Sequence, residues 1–205
     1  MIAESLRVFP ADEREWLGPL DVRSRFVHPE RPLEIDLGCG KGRFLLAHAA
    51  KHPEVNFWGI DRMLRRIRKI DNRARRMDLE NVRLSRIEAY YGTTYWVPAA
   101  AVRTYYIFFP DPWPKARHEA HRLFNARFLE ALWRTLEPGG VVHVATDHLP
   151  YHEQLCGVFR EFGRFEETEV FVPEPDERTD FEQYYVEREG KPIGRLSVRK
   201  PAGAA

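Results

Sequence analysis

The order of strand and helix patterns near the start of the chain is the sequence feature that most constrains its fold. Residues 33–37 alternate apolar and acidic side chains, as a short strand does, and run directly into a glycine-rich loop at residues 38–42. An apolar helical stretch over residues 43–51 leads to a second strand pattern at residues 55–60, which ends on Asp61. This succession of strand, glycine loop, helix, strand and acid predicts a doubly wound α/β sheet.

The rest of the chain continues the alternation and predicts one α/β domain with seven strands. The clearest helix covers residues 62–77, where Met63, Ile67, Ile70 and Ala74 recur at helical spacing. Further strand patterns lie at residues 81–87, 104–109, 141–145, 164–172 and 193–199, and further helices at residues 125–136 and 152–162. We divide the chain into an N-terminal extension at residues 1–32, the α/β domain at residues 33–200 and a tail at residues 201–205.

Composition excludes several classes of protein. The 2 cysteines are too few for a disulfide framework or a cysteine metal cage, so we expect a reduced, cytoplasmic protein. No apolar run reaches the roughly 18 to 20 residues of a membrane span, and the first residues lack the apolar core of a signal peptide. His143, His148 and His152, with Asp147, do not form a recognisable metal-binding motif, so we predict no metal. The net charge of +1 does not indicate a strongly basic nucleic-acid binder.

The glycine loop and the acids on either side of it predict a cofactor site. Gly38, Gly40 and Gly42 allow a ligand to approach the backbone, where a helix N-terminus favours a negative group. Asp61 lies about 20 residues beyond them, where a carboxylate accepts hydrogen bonds from ribose hydroxyls. Both a nicotinamide cofactor and S-adenosylmethionine fit this pattern. The GxGxG spacing favours S-adenosylmethionine, as does Asp36, which can hold an α-amino group but would repel a pyrophosphate.

A second motif, FFPDPWPKARH, follows the fourth strand pattern, at the edge where open α/β sheets bind their ligands. Asp111 stands between two prolines that restrict the backbone, and aromatic residues lie close by. A carboxylate held in this way is suited to recognising a planar heterocycle. Lys115 and Arg117 follow and offer donors for a phosphate or a base. A proline-stiffened loop with a solvated aspartate is the structural alternative.

Together these motifs resemble those of the tRNA (guanine-N7)-methyltransferases. The string FFPDPWPKARH occurs with DLGCGKG upstream and with ATD and RTDFE downstream. The glycine loop is shared by all class I methyltransferases, whereas the PDPWP string and its order relative to the downstream motifs are specific. The resemblance runs from about Leu33 to Glu182. The chain departs from the family at Glu88, where Asp or Asn is usual, and at residues 119–122, which are less basic.

The resemblance implies a Rossmann-like class I methyltransferase fold, with a seven-stranded, mostly parallel sheet and helices on both faces. It implies S-adenosylmethionine as cofactor, tRNA as partner, and methyl transfer to N7 of a guanine, in the variable loop by family resemblance. With the glycine loop included, the residues expected to bind the cofactor are Asp36, Gly38, Gly40, Gly42, Asp61, Glu88 and Asp111. Asp111 is also the implied catalytic residue, and the residues expected to bind the substrate are Lys115, Arg117, Asp147, Thr179 and Glu182.

The distribution of charge leaves the partner open at this point. Residues 62–76 carry eight basic side chains against one acid, a local patch that the neutral total hides. This patch is either a solvated helix face or a surface for phosphates. Two alternative functions also remain: a methyltransferase acting on a substrate other than tRNA, and a catalytically reduced RNA-binding relative.

Overall fold

The computed structural model describes Val8 and residues 18–112, 122–184 and 188–204. Among these residues the strands are β1 (Leu33–Leu37), β2 (Asn56–Asp61), β3 (Val82–Arg86), β4 (Val102–Phe108), β5 (Leu136–Thr146), β6 (Glu166–Glu167) and β7 (Gly194–Arg199). The helices are α1 (Arg43–Lys51), α2 (Leu64–Arg76), α3 (Ala89–Tyr91), α4 (Ala126–Thr135), α5 (Leu149–Phe162) and α6 (Asp180–Tyr184). A π-helical turn, Gly92–Trp96, extends α3. None of the described helices is long and apolar enough to cross a membrane.

The seven strands form one sheet in the order β3-β2-β1-β4-β5-β7-β6. Strands β1 to β5 pair in parallel, and β7 runs antiparallel to both of its neighbours. The chain builds outward from β1 to β3, then returns to the other side of β1 to form β4 and β5. The direction of winding therefore reverses between β1 and β4, which is where open α/β sheets form a crevice for ligands.

The central strands are buried on both sides, because helices cover both faces of the sheet. On one face the apolar stripes of α1 and α2 pack onto the sheet through Phe44, Leu45, Ile67, Ile70 and Ala74. On the other face α4 and α5 contribute Phe128, Leu132, Leu155 and Phe159. Part of the N-terminal extension joins this second cluster, where Leu20, Val22 and Phe26 are buried. The seven-stranded, mostly parallel sheet with helices on both faces confirms the predicted architecture.

Two element boundaries differ from expectation because of local capping and pairing. Helix α5 begins at Leu149 and not at residue 152, because His148 Nδ1 accepts a hydrogen bond from the Tyr151 amide at 3.0 Å. Helix α4 ends at Thr135, and the strand that follows it begins well before the predicted residue 141. This strand, β5, already pairs with β4 from Leu136, and the register shifts before Val141.

The sixth strand is much shorter than the predicted residues 164–172. Its pairing with β7 covers only Glu166 and Glu167. Beyond them, the Phe171 amide donates to the Ser197 hydroxyl at 3.1 Å instead of continuing the ladder. The Phe171 ring then packs on the sheet, with its centroid 4.9 Å from that of His143. Burial of this ring takes the chain out of the strand.

Candidate active site

The carboxyl ends of β1 to β4 meet at one edge of the sheet and surround a cavity of about 430 Å³. Four of the predicted site residues line it: Gly38, Asp61, Glu88 and Asp111. The cavity lies at the reversal of strand order, where this class of sheet binds its ligands. A larger surface hollow of about 530 Å³ between α4 and α5 contains none of the predicted site residues.

Asp61, the last residue of β2, is buried and held by three donors. Its Oδ2 accepts hydrogen bonds from the Gly40 amide at 3.2 Å and from Arg66 Nη1 at 3.1 Å. Its Oδ1 accepts one from the Met63 amide at 2.7 Å. A carboxylate has about four lone-pair positions, so one remains for a donor in the cavity. The glycine loop and the start of α2 are therefore both tied to this side chain.

Asp36, next to the last residue of β1, is buried and is not among the residues that line the cavity. Burial, and second the neighbouring Asp61 carboxylate, raise the pKa of Asp36 to about 8. The unliganded site thus holds a carboxyl group that is largely protonated at neutral pH. A cation placed next to it would restore the anion, since an opposite charge favours the ionised form.

The loop glycines share a backbone conformation, but Gly38 and Gly42 have different surroundings. All three have positive φ, a conformation that side chains rarely adopt. A Cβ added at Gly38 would meet no atom within 4 Å, so this backbone faces open space at the cavity. A Cβ at Gly42 would lie 2.6 Å from Ile70 Cγ1, so Gly42 permits the close approach of α1 to α2 and does not line the cavity.

Glu88 follows β3 and caps the short helix α3. Its two carboxylate oxygens accept hydrogen bonds from the Tyr90 and Tyr91 amides, each at 2.9 Å. The side chain is exposed and lines the cavity. Glu88 therefore orients the chain after β3 and still presents a carboxylate to a ligand.

The turn that carries Asp111 is braced on both sides. Phe109 has φ of +54°, a strained value for a residue with a large side chain, and its amide donates to the Ala145 carbonyl at 2.7 Å. On the other side, Arg122 Nε donates to the Pro112 carbonyl at 3.2 Å. Asp111 is exposed between these anchors and lines the cavity. Two prolines and two anchors thus hold the Asp111 carboxylate at the mouth of the site, where it forms no hydrogen bond with another described residue.

Helix α6 lies against this turn, because the rings of Phe109 and Phe181 stand with centroids 4.8 Å apart. Thr179 caps the helix, its Oγ1 accepting a hydrogen bond from the Glu182 amide at 3.0 Å. Glu182 is buried and forms an ion pair with Arg195, so its carboxylate does not line the cavity. The RTDFE segment therefore approaches Asp111 through its helix, with Glu182 as an internal anchor.

The remaining substrate-binding predictions are placed only in part. Asp147 directly follows β5 at the same edge of the sheet and is half-buried. Lys115 and Arg117 lie outside the described residues, so their predicted role stays a prediction.

The histidines near Asp147 have separate partners. His143 Nδ1 lies 2.8 Å from the Ser197 hydroxyl, and His152 Nε2 lies 3.0 Å from the Arg195 carbonyl. Elsewhere, His48, His52 and Glu177 bring potential ligand atoms within 4.8 Å of one another. Since the Lys51 ammonium already lies 3.6 Å from Glu177 Oε1, we interpret that group as part of a buried ion-pair network.

Arg66 belongs to the basic patch at residues 62–76, and the sequence did not predict its pairing with Asp61. It lies on α2, lines the cavity and pairs with Asp61. In the sequence, Arg66 cannot be distinguished from the other basic residues of α2, because nothing local marks the arginine that lies one turn beyond Asp61. The apolar residues Ile67, Ile70 and Ala74 are fully buried, which leaves the basic side chains of α2 on its outer face.

Comparison with known proteins agrees with this geometry. A family model described as "Putative methyltransferase" matches residues 30–195. The tRNA (guanine-N(7)-)-methyltransferase of Rubrobacter xylanophilus is 35% identical over 177 residues, which cover 84% of this chain and 78% of that protein. The protein of the same name from Sodalis glossinidius is 36% identical over 170 residues, which cover 80% of this chain and 71% of that protein.

Solved structures of methyltransferases share the fold. The 16S rRNA methyltransferase KamB superposes with a TM-score of 0.62 at 16% identity, covering 94% of each chain. The antibiotic-resistance methyltransferase Kmr superposes with a TM-score of 0.59 at 20% identity, covering 94% of this chain and 92% of the other. At these identities the likeness concerns the fold alone, and it confirms the predicted Rossmann-like fold.

Proposed function

The chain belongs to the tRNA (guanine-N7)-methyltransferase family, and we propose that it transfers a methyl group from S-adenosylmethionine to N7 of a guanine in tRNA. Family resemblance extends the proposal to a guanine of the variable loop, and a tRNA substrate accords with a cytoplasmic location. One observation carries the proposal: Asp111 of the PDPWP motif lines the same cavity as Gly38, Asp61 and Glu88. A cofactor loop and a carboxylate suited to a base therefore share one space.

The residues that line the cavity, together with the buried Asp36 of β1, fit S-adenosylmethionine. The open space at Gly38 leaves room for a ligand against the backbone. Asp36, a buried carboxyl group whose pKa is raised to about 8, would be stabilised as an anion by the ammonium of the methionine end. Asp61 retains an acceptor position for a ribose hydroxyl, and Glu88 presents a carboxylate for the adenine amino group. Gly40 supports this set indirectly, by donating its amide to Asp61.

The proposed mechanism asks the chain to position the base. S-adenosylmethionine supplies, when bound, a methyl group on a positively charged sulfur. Guanine N7 has an in-plane lone pair, so no residue has to remove a proton before attack. The chain must hold N7 in line with the methyl group, and positioning of this kind lowers a barrier by about 7 to 11 kcal/mol. Asp111 either accepts hydrogen bonds from the N–H edge of guanine or stabilises the positive charge that methylation places on the ring.

The substrate side of the proposal rests on residues around the Asp111 turn. Lys115 and Arg117 follow the turn in sequence and are proposed to donate to phosphates or to the base. Asp147 and Thr179 are proposed to contact the tRNA from the ends of β5 and α6. Glu182 would support the substrate site through Arg195, by holding α6 in place.

The direct test is methyl transfer to tRNA that lacks the modification. We expect the purified protein, incubated with labelled S-adenosylmethionine and such tRNA, to place label in 7-methylguanosine after digestion. The Asp111→Asn variant keeps the shape but loses the charge, so transfer should fall by about 100-fold or more. Because Asp111 is exposed, the melting temperature of the variant should differ little from that of the wild-type protein.

Three other results would overturn the proposal. Label only in other molecules would indicate a methyltransferase with a different substrate. Cofactor binding and tRNA binding without any transfer would indicate a catalytically reduced relative. An Asp111→Asn variant with near-normal turnover would remove Asp111 from the reaction, even if the wild-type protein produces 7-methylguanosine.

A further inference from the structure

A short helical platform stands at the rim of the cavity, after β3. It consists of α3 and the π-helical turn Gly92–Trp96, and it begins beside Glu88 and Ala89, which line the cavity. The Glu88 carboxylate caps its first amides. The indole of Trp96 is fully buried beneath it. π-Helical turns are rare and occur often at functional sites.

Arg134 of α4 holds the other end of the platform. Its Nη2 lies 3.1 Å, 2.9 Å and 3.1 Å from the carbonyl oxygens of Thr93, Thr94 and Val97. The carbonyls at the end of a helical turn are thereby satisfied. With caps at both ends and a buried anchor, the platform keeps its shape without a ligand.

Two tyrosines on this platform are exposed. Tyr91 is 42% and Tyr95 51% accessible, and their ring centroids lie 4.7 Å apart at an interplanar angle of 48°. Neither hydroxyl forms a hydrogen bond with another described residue. Exposed apolar residues that occur singly need no explanation, whereas a contiguous aromatic pair on a rigid support points to a binding surface.

Exposed arginines lie on the elements that flank the platform, while the Glu88 carboxylate lies at its start. Arg62, Arg65 and Arg86 are exposed at the carboxyl edge of β2 and β3. The Ile87 amide, just before the platform, donates a hydrogen bond to the Asp61 carbonyl at this edge. On the other side, the exposed Arg127 lies next to Phe128, whose ring contacts Tyr90. Within the described part of the chain, these four arginines form no ion pair.

We propose that Tyr91 and Tyr95 form a stacking site for an unpaired base of the RNA substrate, next to the base that enters the cavity. Aromatic side chains bind unpaired bases through their π-faces, and neighbouring arginines contact the phosphates of the same strand. The proposal rests on the proposed function, because it takes tRNA as the partner.

The test compares Tyr91→Ala/Tyr95→Ala with the matched Tyr91→Phe/Tyr95→Phe. The alanine variant should weaken tRNA binding and raise KM for tRNA by about 10-fold or more, with kcat much less affected. The phenylalanine variant should remain near wild type, because it keeps the π-faces. The dependence of log Kd on log salt should keep its slope in both variants, since stacking releases no counterions. Melting temperature and affinity for S-adenosylmethionine should stay unchanged.

Several results would overturn this proposal. The alanine variant could bind tRNA normally, or the phenylalanine variant could lose as much affinity as the alanine variant. A wild-type dimer that the alanine variant dissociates would identify the platform as an interface between two copies of this chain. Direct measurement of tRNA binding separates this test from that of the proposed function, because it needs no methyl transfer. If the wild-type protein makes no 7-methylguanosine, the proposed function fails, and binding still decides the role of the tyrosines.

Discussion

At the scale of single residues, the protonation state of Asp36 links the site to pH. Burial and the nearby Asp61 carboxylate raise the pKa of Asp36 to about 8, whereas an α-amino group with a pKa of about 8 carries its charge at pH 6.5. Binding of that ammonium should return Asp36 to its anionic form. We therefore expect S-adenosylmethionine to release up to about one proton when it binds at pH 6.5, and to bind more tightly as the pH rises toward 8.

Calorimetry in buffers with different ionisation enthalpies measures this proton. The binding enthalpy of the wild-type protein should vary with the buffer, and that of Asp36→Asn should not. Asp176→Asn is a suitable control, because Asp176 is exposed and the Lys51 hydrogen bond lowers its pKa, so it is already ionised. A wild-type enthalpy that is independent of the buffer would contradict the role given to Asp36.

At the scale of elements, the contact between α1 and α2 depends on the absence of a side chain at Gly42. In Gly42→Ala the new Cβ would overlap with Ile70, at 2.6 Å from its Cγ1. Overpacking of this kind costs on the order of 1 to 3 kcal/mol, in addition to the strain of positive φ. Gly38→Ala shares the strain but meets no atom, so it should lose less stability and more cofactor affinity.

Denaturant unfolding and calorimetry together decide between these two roles. Adding Ile70→Val to Gly42→Ala removes one of the overlapping groups and should recover part of the lost stability. Equal stability losses in the Gly42→Ala and Gly38→Ala variants would show that the helix contact does not matter. An unchanged cofactor affinity in Gly38→Ala would remove the loop backbone from the binding site.

The basic outer face of α2 makes a separate prediction about RNA. Arg65 and Lys69 are exposed one turn apart, whereas Arg66 must be kept because it holds Asp61. If the face binds phosphates, Arg65→Ala/Lys69→Ala should reduce the salt slope of tRNA binding by about 0.7 to 0.9 for each lost contact. Arg160→Ala on α5 is the control. An unchanged slope would mean that the face is only solvated.

At the scale of the whole molecule, the half-buried His143 should make the free energy of unfolding depend on pH. Burial, and second the charge of nearby His48, lower the pKa of His143 to about 4, whereas an unfolded histidine titrates near pH 6.5. Between these values the unfolded chain binds more protons, so the free energy of unfolding must fall as the pH falls from about 6.5 to 4. For His143 the loss should be on the order of 1 to 3 kcal/mol.

The His143→Asn variant isolates this contribution. Its amide can keep the hydrogen bond to Ser197 but does not titrate. Unfolding curves recorded between pH 4 and 7 should therefore be flatter for this variant than for the wild type. Substitution of His28, whose side chain is 44% accessible, with Asn serves as a control. Parallel curves for His143→Asn and the wild type would show that His143 does not contribute to the acid sensitivity.

The sequence predicted the elements whose pattern is local. Helix α1 has the predicted bounds, because an apolar stripe after a glycine loop is a continuous signal. The predicted length of the strand at residues 164–172 was wrong, because β6 covers only Glu166 and Glu167. The strand pattern of these residues contains no information about the rings that Phe171 contacts in the folded chain. The sequence also predicted which edge of the sheet carries the cavity. The motif residues Gly38, Asp61, Glu88 and Asp111 do line one cavity, since parallel strands bring their carboxyl ends to one edge.

The sequence by itself therefore determined the order of strands and helices, the edge of the sheet that carries the cavity, and the chemical types of the residues there. The tertiary structure decided which of them line the cavity. It paired Arg66 with Asp61 and Glu182 with Arg195, placed Ile70 against Gly42, and raised the pKa of Asp36. These outcomes depend on distances between residues from separate elements and on exclusion of water. Periodicity and spacing record only the neighbours along the chain.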